Sequence, residues 1–200
     1  MSGGSFPTIK APSQVVLRSV QPTRVSVSHS LKRQARSRGG QRWGMQLTWA
    51  PMPRATFMQF FAFLIAQRGQ ADTFTIRLTG HTAPQGTWSG APVVSGAGQT
   101  GRVINLRGLS ASQAAAAKAG DILTFAGQTK VYIVTADAAS NSAGLAAVTI
   151  EPALQASPLD GAGVTSSNVL FTVALASDSL DSNLAPGAIY SLAIDLVEVF

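Results

Sequence analysis

Between residues 41 and 78 the sequence changes its period twice, and that alone narrows the possible folds. Trp43, Met45, Leu47 and Trp49 recur at every second position, so a strand carries all four on one face. Pro51 and Pro53 then end the ladder and pre-set the backbone for the first turn of a helix. From about residue 54 to 67 the apolar residues follow a helical repeat, with Phe57, Phe60, Phe61 and Leu64 as the stripe that faces a sheet. Gly69 is the stop. Residues 73–78 alternate again, Phe74, Ile76 and Leu78 against Thr73, Thr75 and Arg77. A helix packed on a sheet is the expected unit. Met58, Phe63 and Ile65 fall outside the stripe, so the helix needs cover on more than one side, from this chain or from a neighbour.

The rest of the chain reads as strands and turns. Residues 1–13, rich in Gly, Ser and Pro, read as a flexible N-terminal arm. Residues 14–20 and 24–28 alternate as short strands around a turn at Pro22. The run LKRQARSR at 31–38 is expected to be a basic strand, turned at Gly39-Gly40 into a hairpin with the 41–50 strand. Residues 80–101 are dominated by Gly, Pro, Ser and Thr, with one short strand at Val93-Val94. Further strands are expected at 102–106, 121–126, 129–135, 145–150, 168–175 and 189–199, and one or two helical turns at 112–119. The fold class is therefore mainly β with one principal α-helix packed on a sheet: a β-sandwich or barrel-like domain plus a small inserted β module. The expected boundaries are 14–79 with 165–200 for the core domain, and 80–164 for the insertion.

Charge is distributed unevenly. The net charge is +6, with only 12% of residues charged, where a soluble monomer carries about 25%. Residues 1–71 hold ten Lys/Arg and no acid, while residues 72–200 hold five Lys/Arg and nine acids, giving +10 and −4. Such a molecule is polarised, its ends suited to different partners. The acidic part of an identical neighbour is one candidate, since complementary charge fixes register between subunits. Nucleic acid is the other: Lys32, Arg33, Arg36, Arg38 and Arg42, with Trp43 beside them, have the chemistry to contact phosphates and stack a base. Against it, the chain has no recognised reading module, and alternate residues of a strand point to opposite faces. Specific nucleic-acid binding is not expected.

Nothing in the chain is arranged for catalysis. There is no cysteine, which excludes disulfides and thiolate metal sites. His29 and His81 sit in polar, turn-like surroundings without a second ligand at metal spacing. Asp178 and Asp181 (SDSLDSN) lack the spacing of a calcium loop. The stretch SGAGQTG at 95–101 lacks the Gly-Lys-Ser/Thr step of a phosphate loop and runs into a strand. No catalytic residue, cofactor or metal is expected, and the chain reads as no enzyme. The first residues lack the charged start and apolar run of a secretory signal, and the apolar helix is too short to span a bilayer. Synthesis in the cytoplasm is the expectation.

Two stretches resemble proteins of phage tails. QARSRGGQRWGMQLTWAPMPRATFMQFFAFLIAQRGQADTFTIRL, ending at Leu78, resembles the N-terminal part of the distal tail proteins and related baseplate-ring subunits of tailed bacteriophages. AGDILTFAGQTKVYIVTADAASNSAGLAAVTIEPAL, residues 119–154, is similar to small β modules inserted in phage virion proteins. The resemblance implies a structural virion protein, located at the distal end of the tail and made in the host cytoplasm. It implies a ring, hexameric in that family, joining the tail tube protein to a hub or tip protein and to fibre or baseplate proteins. The large C-terminal carbohydrate-like binding domain of many distal tail proteins is not expected here, nor is receptor binding. On this reading Lys32, Arg33, Arg36, Arg38 and Arg42 lie at the subunit contact, with Trp43, Trp49, Phe60, Phe61 and Phe63 supplying apolar burial.

Overall fold

The computed structural model describes residues 2–78 and 80–200. The chain divides into two compact units, Met1–Phe74 with Val173–Val199, and Thr75–Thr172 with Phe200. In chain order the elements are β1 (Ser2–Ser5), β2 (Gln14–Val20), β3 (Thr23–Val27), β4 (Arg33–Ser37), β5 (Arg42–Pro53), α1 (Arg54–Ala66) and β6 (Thr73–Arg77). They continue with β7 (Gly90–Val94), β8 (Val103–Leu109), β9 (Ile122–Phe125), β10 (Tyr132–Val134), β11 (Ala146–Glu151) and β12 (Val164–Thr165). The chain ends with β13 (Leu170–Leu175), β14 (Asn183–Ala185) and β15 (Ile189–Glu198). The fold is mainly β with one principal helix packed on a sheet.

The first sheet runs β1-β6-β13-β15-β5-β2, with β14 added on β15. Its long central strand β5 is the alternating run of the sequence, and Trp43, Met45, Leu47 and Trp49 are all buried. On its neighbour β15, Leu192, Ile194 and Leu196 share that inner face. The inward position at the end of β15 is Glu198, a buried carboxylate that accepts the Trp43 backbone N–H at 3.1 Å.

α1 begins where Pro53 ends β5 and has neither a side-chain cap nor an acid in its first turn. Packing, not capping, therefore fixes it. Phe57, Phe60 and Leu64 are fully buried, each contributing on the order of 1.5–3 kcal/mol by leaving water. Gln67 caps the helix, and Arg68 and Gly69, both at positive φ, reverse the chain towards β6.

The segment read as a flexible arm, residues 1–13, contributes β1 and Phe6. Phe6 is buried, its ring 5.5–6.0 Å from those of Trp49, Phe60, Phe63 and Phe74.

In the second unit the sheet order is β12-β9-β10-β11-β8-β7. Its ends approach each other, because Val94 N donates to the Ala162 carbonyl at 2.9 Å and Gly161 N donates back at 3.0 Å. The sheet is thus almost closed, barrel-like, around Ile104, Leu106, Leu123, Phe125, Tyr132, Val134, Val148 and Ile150. The helical turns expected at 112–119 do not form. Ala116 and Ala117 are buried instead, and the backbone bonds sideways: Trp88 N to the Ala116 carbonyl, and Ala117 with Ala138 in both directions. Long-range pairing here overrides the helical preference of alanine.

On the surface of this unit Arg107 Nη1 donates to Asp160 Oδ1 at 2.6 Å, and Gly96 N donates to the same oxygen at 2.8 Å. The Arg107 bond, followed by that of Gly96, holds the carboxyl below its ordinary range. A carboxyl lowered on folding stabilises the fold above its unfolded pKa of about 3.9 and loses that contribution as pH falls through the folded value. The urea midpoint of the native chain should accordingly exceed that of Asp160→Asn at neutral pH. The gap should close as pH falls through the lowered folded value.

Candidate assembly surface

Every residue from 18 to 40 is exposed. This stretch contains a two-stranded sheet of its own, β3 with β4, separate from the two larger sheets. It is the outer part of a long double limb. β2 pairs with β5 as far as Val20 opposite Arg42, and the chain then passes through Gln21-Pro22 on one side and Gly39-Gly40 on the other. Beyond these joints β3 pairs with β4 in the register Thr23–Ser37, Arg24–Arg36, Val25–Ala35, Ser26–Gln34 and Val27–Arg33.

The expected hairpin between 31–38 and 41–50 is therefore absent. β5 takes β2 as its partner, whose Val15, Val16 and Leu17 are half-buried beside it, whereas β4 has only Ala35 to offer a core. Gly39 and Gly40, both at φ 70°, form the joint between the two parts of the limb and not the tip of a hairpin.

The register decides where the charges go. Residues directly opposite in an antiparallel pair share a face. Arg24 and Arg36 thus stand side by side on one face. The bonds from Ser28 N to the Lys32 carbonyl and from Arg38 N to the Pro22 carbonyl extend the ladder, so Lys32 and Arg38 join them by alternation. Arg33 lies on the other face with Val25, Val27 and Ala35. The limb is two-faced: four cations on one side, and on the other valines 47% and 57% exposed with Arg33 at their edge. Like charges directly opposite across a ladder are destabilising unless an anion intervenes.

Of the remaining residues expected at a subunit contact, Arg42 is exposed at the base of the limb. Trp43, Trp49 and Phe60 are buried in the core of the first unit, at 5%, 2% and 0% exposure. There they pack with Met45, Leu47 and Met52 of β5 and with Phe57 and Leu64 of α1, all buried. Phe61 and Phe63 are half-buried. Phe61 stacks on Phe57 at 5.3 Å, and Phe63 meets Phe6 and Phe74 edge-on. Arg24 was not singled out by the sequence, since its place beside Arg36 depends on the β3–β4 register.

Among the described residues no group of three or more His, Asp or Glu is placed to hold a metal ion, and no helix is long and apolar enough to cross a membrane.

Residues 81–169 match the family model described as distal tail protein pb9, B domain. The matched stretch takes in β7 to β12 and contains the second of the two phage-like segments, 119–154. No curated protein matches the chain. The family match supports the distal tail protein family of phages, a structural role in a phage tail and a place in the virion tail. Such a domain fits a structural protein better than an enzyme.

Proposed function

We propose that this chain is a structural virion protein that assembles as a closed homo-oligomeric ring, hexameric, at the distal end of a phage tail tube. There it joins the tube to tip or hub, fibre or baseplate proteins. The observation that carries this reading is the limb at 18–40, which buries none of its own residues. A two-stranded hairpin alone in water is marginally stable at best. It holds a fixed shape when a second surface covers it, and a neighbour in a ring is such a surface. Residues 80–164 are then an inserted module, left for a further ring contact or for attachment of a fibre.

Negative-stain images and sedimentation of the purified chain test this. Closed rings are expected, and antibody raised against the chain should label the tail end distal to the head. Replacing residues 22–40 by a two-residue Asn-Gly turn between β2 and β5 should return the rings to monomers. It should leave the thermal midpoint of the monomer within about 3 °C, because no buried contact is removed. A native chain that is monomeric at every concentration, and absent from virions, overturns the proposal. A second reading, nucleic-acid binding, draws on the same cationic face. It predicts steeply salt-dependent retention of nucleic acid, which filter binding at two salt concentrations measures.

A further inference from the structure

Nearly all the carboxylates of this chain are committed within it. Asp72, Glu151 and Asp160 pair with Arg68, Arg102 and Arg107. Asp121 and Glu198 are buried and accept N–H donors, while Asp137 accepts Ala119 N and Asp178 accepts Gln70 N. Two are left. Asp181 and Asp195 have no side-chain hydrogen bond or ion pair among the described residues, and both are exposed. They line one cleft of about 420 Å³ on the first unit, formed by the outer face of β15 and the 175–183 segment. Thr48, Ser177, Ser179, Asn183 and Ser191 add uncharged polar groups to its wall.

On the same unit, the cationic face of the limb has no internal partner either: Arg24, Lys32, Arg36 and Arg38 form no ion pair among the described residues. One chain thus displays an unpaired cationic face and an unpaired acidic cleft. We infer that the Arg24/Arg36 face of the β3–β4 limb docks on the Asp181/Asp195 cleft of a second copy of this chain. This rests on the ring reading above and names its contact. A guanidinium meets a carboxylate with two parallel hydrogen bonds, so Arg24 and Arg36, side by side, match two carboxylates in one cleft. Two carboxylates between them also remove the repulsion that their pairing across the ladder imposes. The contact joins two different surfaces of the chain. It is therefore heterologous, the type that closes into a ring when the rotation allows.

Charge reversal tests the contact, read by sedimentation velocity at low salt with far-UV circular dichroism as a control for folding. Arg24→Glu with Arg36→Glu, and separately Asp181→Lys with Asp195→Lys, should each weaken self-association by about tenfold or more. Mixing the two variants, or combining all four changes in one chain, should restore it. Since the chain has no cysteine, a mixture of Arg36→Cys and Asp195→Cys proteins, treated with oxidised glutathione as the oxidant, should form a one-to-one disulfide-linked dimer, which either protein alone does not. Oligomers that survive both reversals overturn this contact and leave the ring reading standing. Loss of association on reversing the limb but not the cleft places the acceptor elsewhere and overturns it too. A monomer that binds its own cleft, or a limb that retains single-stranded DNA while the chain stays monomeric, overturns both the contact and the ring.

Discussion

Replacing Asp121 with alanine is expected to destabilise the 75–172 unit by about 3–5 kcal/mol. Its carboxylate is 2% exposed and accepts hydrogen bonds from Gln85 N at 2.6 Å, Gly86 N at 3.0 Å, Trp88 Nε1 at 2.7 Å and Lys118 N at 2.8 Å. These donors come from two loops with no regular secondary structure, 85–88 and 115–118. The carboxylate adds to the direct backbone bonds that join the loops, from Thr87 N and Trp88 N to the Ala115 and Ala116 carbonyls. Each buried donor left without an acceptor costs about 1–3 kcal/mol. Water entering the vacated space recovers part of that, so the expected loss is below the sum of the four. Asp121→Asn keeps the shape but turns an amide NH₂ towards donors, and should recover less than half of the loss. Gly86→Ala tests the same knot from the other side. A Cβ there would lie 2.7 Å from Asp121 Oδ2, 2.8 Å from Ala117 Cα and 2.9 Å from the Ala116 carbonyl, and backbone atoms cannot swing away. An overpacking cost of about 1–3 kcal/mol follows. Urea denaturation followed by circular dichroism measures all three, and a shift under about 1 kcal/mol for Asp121→Ala would refute the organising role.

What the sequence reveals of this fold is set by how local the deciding interactions are. The buried face of β5 is legible because a strand's period is fixed by its own backbone, and Pro53 marks its end, although the strand runs on through Pro51. The helix is legible because Pro53 and Gly69 bracket a run of aromatics. Phe6 is not legible. It stands alone in a segment of Gly, Ser and Pro, and its burial is decided by the gap that Trp49, Phe60 and Phe74 leave between them. Nor are the short strands β1 and β12, whose partners β6 and β9 lie far along the chain. Gly39-Gly40 satisfies the local rule for a hairpin turn, yet the preference of β5 for β2 makes it a joint. The same limit applies to the assembly surface. An acid-free first third announces the cations, but which of them share a face depends on the β3–β4 register. Trp43, Trp49 and Phe60 mark a place where apolar area must be buried. Core and subunit contact make the same demand on a sequence, so the pattern alone does not sort one from the other.

Trp49→Ala separates those two readings, and the expected result is a loss of about 3–5 kcal/mol in the stability of the monomer. The indole is 2% exposed, with the rings of Phe6 and Phe60 5.6 and 5.5 Å away. Its Nε1 donates to the Lys10 carbonyl at 2.9 Å, and Lys10 Nζ in turn reaches the carbonyls of Ala50 and Pro51. Truncation therefore opens a cavity and frees the segment from Phe6 to Lys10 at the same time. Trp49→Phe keeps most of the apolar area and loses the donor, so about 1–2 kcal/mol is expected. A double-mutant cycle of Trp49→Ala with Phe6→Ala should give a coupling of about 0.5–1.5 kcal/mol, the value of one aromatic pair. The comparison that decides is with Arg36→Ser on the exposed limb, which should leave monomer stability within about 0.5 kcal/mol and change only association. At a subunit contact Trp49 would behave as Arg36 does, its truncation harmless in dilute monomer and costly only as chains associate. The packing of Phe6, Trp49 and Phe60 requires the opposite order: measured at concentrations where no oligomer forms, Trp49→Ala melts first and Arg36→Ser melts with the native chain.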